Sequence, residues 1–156
     1  MTGGGAPGRD ETETERLDRN LEELYAGLRV ALPGVQVLFA FLLVLPFQQQ
    51  FDTISAFDEK VYFGTLLATT AASLCLIATS VRHRLRFRRG DKEWVVLSGN
   101  RLAITGLGFL GLAISGAILL VSDVLFGVAT AAVATASVAG LLIWLWFASP
   151  LLRDLR

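Results

Sequence analysis

Four stretches of this 156-residue chain, about 30–47, 61–81, 102–121 and 124–148, contain no Asp, Glu, Lys or Arg. A helix needs about 20 apolar residues to cross a hydrocarbon core ~30 Å thick; three stretches reach that length, and the first, at about 18, sits at its lower limit. Lipid has no water to satisfy open N–H and C=O groups, so such segments must close their hydrogen bonds internally. The expected fold is therefore all-α and integral to a membrane, a four-transmembrane-helix bundle over 30–148. The 53% hydrophobic content and mean hydropathy of +0.56 agree, being too apolar for an ordinary soluble fold of this size.

The segments outside these spans differ sharply in character. Residues 1–14 combine Gly, Pro, Thr and charge with almost no apolar content, which predicts a disordered tail. A secretory signal would need a basic start followed by an apolar run, so no cleaved targeting peptide is expected. Over 15–29, Leu17, Leu21, Leu24 and Leu28 recur at helical spacing with charged residues between them, predicting an amphipathic helix before the first span. Pro33 is the expected start of the first membrane helix and Pro46 its end or kink. Residues 48–60 read as a polar loop, Ser98, Gly99 and Asn100 as a cap before the third span, and Ser122 with Asp123 as a tight turn before the fourth. Residues 149–156 form a short tail.

Lys and Arg set the expected orientation. Thirteen of the fourteen bases lie in the N-terminal segment, the 82–101 loop or the C-terminal tail, whereas the two opposite loops hold only Lys60. Bases near the spans are retained in the cytoplasm, which predicts both termini and the amphipathic helix inside, N-in/C-in.

The loop from 82 onward places Arg82, Arg84, Arg86, Arg88 and Arg89 within eight residues beside a span. Each such base is attracted to anionic phospholipid by ~1 kcal/mol. The pattern reads first as a stop-transfer and topology signal, with a contact for anionic lipid or an acidic partner as the sharper alternative. Nucleic acid is not an expected partner, because a basic patch without a binding fold supplies only non-specific affinity. Small residues recur at intervals of four on the second helix (Gly64, Ala68, Ala72), the third (Gly111, Ser115) and the fourth (Gly127, Ala131, Thr135, Ala139). Such ridges let helix backbones approach closely within lipid, either inside one bundle or between copies of the chain in a homo-oligomer. Gln36 is the one amide in a span and is expected to face another helix, bonding a threonine.

Several chemistries are disfavoured. No carboxylate lies within a span, although ion-coupled antiport normally needs one near the midplane. The lone Cys75 permits neither an intramolecular disulfide nor a thiol metal site, and no phosphate loop, nucleophile elbow or paired-His motif is present. Neither an enzyme nor a bound cofactor is expected.

The blocks ETERLDRNL (13–21), GVQVLFAFLL (34–43) and HRLRFRRGDK (83–92) resemble an uncharacterised family of small actinobacterial membrane proteins, a domain of unknown function. The similarity runs over about 13–125. It implies a four-helix protein of the bacterial inner (plasma) membrane, and some members carry an automatic sodium:proton antiporter label. Two functions are therefore carried forward. One is a non-enzymatic scaffold or accessory subunit engaging anionic lipid or a membrane protein partner at the cytoplasmic face; the other is an ion transporter or channel formed by a homo-oligomer.

Overall fold

The computed structural model describes residues 13–49, 51–86, 92–149 and 152. The tail at 1–12, Arg88, Arg89 and nearly all of the C-terminal tail lie outside them. Four helices follow in order: α1 (Glu13–Val44), α2 (Ala56–Arg86), α3 (Lys92–Phe126) and α4 (Val128–Ile143), the last prolonged by a π-helical turn, Trp144–Ala148. No strand occurs among the described residues. All four are long and apolar enough to cross a membrane.

Three helices are longer than a bilayer requires. α1, α2 and α3 contain 32, 31 and 35 residues. At 1.5 Å per residue each runs about 45 to 55 Å, so the packed unit extends past the hydrocarbon at its ends. What joins them is a heptad seam. On α1 the buried residues are Leu21, Leu28, Val35 and Leu42, each seven after the last. On α2 the buried residues Asp58, Tyr62, Thr65, Thr69, Ala72, Leu76 and Thr79 alternate steps of four and three, with Ala68 buried beside Thr69. α3 continues the rhythm with Ala103, Leu110, Ala113 and Leu120. A 3.5-residue repeat keeps one face of a helix turned to its neighbour, as in left-handed coiled-coil packing.

α2 and α3 form the principal antiparallel pair, α1 packs on both, and α4 packs on α3 alone. One core cluster joins Leu28, Val35, Leu76 and Leu110; a second joins Leu42, Tyr62 and Leu120 nearer the 48–55 connection. The outer surface is the inverse of a soluble protein's. Phe41 is 71% exposed and Leu112 66%, which suits contact with acyl chains.

Several sequence expectations are corrected here. The amphipathic segment and the first span are one helix, with Pro33 inside it rather than at its start. Proline removes the bond to the carbonyl four residues earlier; that carbonyl belongs to Arg29, which is exposed, so the missing partner costs little. Ser98, Gly99 and Asn100 lie within α3, and Ser98 bonds the Val95 carbonyl instead of capping. The turn between α3 and α4 is not at Ser122–Asp123 but at Gly127, whose φ of +83° is one an L side chain rarely adopts. α2 starts earlier than expected, inside the predicted polar loop, because Ser55 caps it. Its hydroxyl accepts the Asp58 N–H at 3.1 Å and donates to Asp58 Oδ2 at 2.7 Å.

Candidate functional site

The two ends of the unit are chemically different. At the 48–55 end, Pro46 has no N–H to give the Leu42 carbonyl, which would be left open in an apolar setting. Tyr62 supplies the donor: its hydroxyl bonds Leu42 O at 3.0 Å, with Phe51 set edge-on to its ring at 5.0 Å. Here also the side chains of Asp58 and Asp123 come close to each other. Asp58 is buried; its Oδ2 accepts the Ser55 hydroxyl, and its Oδ1 has no hydrogen-bond partner among the described residues. Nothing in the linear chain points to this contact, since the two acids are far apart along it.

At the opposite end α2 and α3 enclose a groove of about 400 Å³. Arg82 enters from α2 and Arg101 from α3, with Trp94, Leu97 and Leu102 among the walls. The Arg82 guanidinium lies over the Trp94 ring, 5.6 Å from its centroid. Among the described residues neither arginine has a carboxylate within ion-pair distance; an ion pair joins Arg19 and Glu23, exposed on α1, at 3.9 Å. Of the other loop arginines, Arg84 is exposed, Arg86 ends α2 with its side chain outside the description, and Arg88 and Arg89 fall outside the described residues. Arg101 and Trp94 did not stand out as site residues from sequence; only their position flanking uncharged runs could have flagged them.

Between the ends, hydroxyls are mostly satisfied within their own helix. Thr65, Thr69 and Thr70 donate to carbonyls four residues earlier at 2.7–2.8 Å. Thr79 bonds Cys75 O at 3.3 Å and reaches Gly99 O on α3 at 3.5 Å. Closest approach is set by glycines of α3 that the ridge pattern did not include. A Cβ on Gly106 would meet Leu76 at 2.9 Å, one on Gly99 would meet Leu24 at 3.1 Å, and one on Gly116 would collide with Thr65.

The predicted ridges are only partly brought together. Ala68, Ala72 and Ala131 are buried, and Gly111 lies against Trp146 and Leu142. Gly64, Ser115 and Thr135 share a cavity of about 320 Å³ with Thr65 and Gly116, where Thr135 Oγ1 has no partner. Ala139 is half-buried, and Gly127 serves the turn instead of a ridge. Gln36 does not face a neighbouring helix: it is exposed, because the heptad seam turns the adjacent Val35 inward. Among the described residues no three His, Cys, Asp or Glu side chains cluster so as to hold a metal ion.

These features define a polytopic helical membrane protein whose polar groups concentrate at the two ends of a three-helix core. Residues 10–150 match the model of a family of unknown function (DUF6328), and the chain belongs to that family. No curated protein and no solved structure matches it.

Proposed function

We propose that the chain is a non-enzymatic scaffold or accessory subunit of the bacterial plasma membrane, engaging anionic lipid or a membrane protein partner at its cytoplasmic face. The observation carrying this reading is the pair Arg82 and Arg101, held in one groove beside two uncharged spans without a carboxylate partner among the described residues. In this reading both termini are inside, and the arginine loop and the exposed acids Asp18 and Glu22 of α1 project at the same face. A reporter fused at His83 should read cytoplasmic; a reading on the far side removes the proposal's footing. Native mass spectrometry of the extracted chain is expected to show a second copy or a different membrane protein bound. A strictly solitary chain would count against any scaffold.

A transporter or channel built by a homo-oligomer is the second reading, favoured by one observation. Gln36, an amide at membrane depth, points out of the protomer, where only a neighbouring copy or lipid can meet it. Flux of sodium, potassium or protons into liposomes loaded with purified chain is the required signal, and its absence across a range of pH rejects this reading.

A further inference from the structure

We propose that the groove between α2 and α3 seats the phosphate of a single phospholipid with net negative charge, held between Arg82 and Arg101. This rests on the membrane reading above and names the ligand of that face. Depth is the first argument. Arg82 directly follows the uncharged run 61–81, and Arg101 directly precedes the uncharged run 102–121. With those runs in hydrocarbon, both guanidiniums stand at the level of the headgroup phosphates, on adjacent helices that run in opposite directions. Shape is the second. The groove, about 400 Å³, is lined by both arginines and by Leu97 and Leu102, so cationic donors and apolar walls lie together. That is the layout of the glycerophosphate region of a lipid, with charge next to the first methylenes of its chains.

The Arg82 guanidinium lies over the Trp94 ring. A guanidinium carries a planar fork of N–H groups, and a phosphate can accept two of them at once. Trp94, 43% exposed, has the amphipathic ring that suits a membrane interface. Among the described residues no carboxylate pairs with either guanidinium, so their charge favours a net-negative headgroup over a zwitterionic one. Arg84, which does not line the groove, attracts a leaflet without holding one molecule.

The test uses the full chain in detergent with phosphatidylglycerol or phosphatidylcholine added, read by native mass spectrometry. One retained phosphatidylglycerol is expected, and Arg82→Gln with Arg101→Gln should lower its retention roughly 30-fold, the combined effect of two bases near a headgroup. A control with equal charge loss, Arg16→Gln with Arg84→Gln, at two exposed residues outside the groove, should retain the lipid. Equal loss in both pairs, or no preference between the two lipids, overturns the proposal. Millimolar inorganic phosphate should leave the adduct intact; displacement would assign the groove to a soluble anion and overturn the lipid assignment. A second measurement needs no arginine variant. With Trp144→Phe and Trp146→Phe, brominated phosphatidylglycerol should quench Trp94 more strongly than brominated phosphatidylcholine, and equal quenching again refutes the site. A chain that stays soluble without detergent sinks the membrane reading itself, a result distinct from a lost lipid preference.

Discussion

Leu42, Pro46 and Tyr62 show how one backbone atom can fix the value of a distant side chain. The proline orphans a carbonyl and the tyrosine, on another helix, closes it. Tyr62→Phe keeps the ring and loses the donor, so it should cost about 1–3 kcal/mol, the penalty of an unsatisfied buried polar group. Unfolding of the variant by denaturing detergent, followed by helical circular dichroism, measures it. Glycines divide in the same way, by neighbour. Gly116→Ala drives a methyl into Thr65 and should destabilise by about 1–3 kcal/mol, whereas Gly64→Ala enters open space and should stay within about 0.5 kcal/mol. Adding Thr65→Ala to Gly116→Ala should recover part of the loss in a double-mutant cycle. None of these pairings could be read from the chain. Gln36 illustrates why: its polarity was visible, but which way it faces depends on the seam that buries Val35 beside it.

Element boundaries were legible where a residue acts locally and misleading where a partner intervenes. The end of α1 at Val44, just before Pro46, follows from proline chemistry alone. The Ser55 cap lies among polar neighbours that mask it, although Ser-x-x-Asp before an apolar run is a readable signal. Ser55→Ala should cost about 1 kcal/mol and raise amide exchange in the first turn of α2 without disturbing its far end. Gly99 carried the opposite lesson. It looked like punctuation, yet α3 runs through it because a small residue is needed where Leu24 and Thr79 approach. Pro33 likewise sits inside a helix, flanked by Leu28 and Val35, which pack in one core cluster with residues of α2 and α3.

At the scale of the whole molecule, the four helices are not equivalent. α1, α2 and α3 share one seam, while among the described residues α4 buries little beyond Ala131 and packs on α3. A chain truncated after Gly127 should therefore keep cooperative unfolding of the α1–α3 core, and loss of the helical transition in that truncation would show α4 to be integral. The exposed length of α4 is what lipid or a partner must cover.

Four helices long and apolar enough to cross a membrane were legible in the chain, because uncharged runs of that length have no other stable disposition in lipid. Sequence also named Arg82, since charge beside a span is a local property. Tertiary structure alone decided that Arg101 and Trp94 join Arg82 in a groove, that Asp58 meets Asp123, and that α4 stands aside from the core. The reason is physical: apolarity is carried by each residue separately, whereas proximity across helices exists only once their faces have been matched.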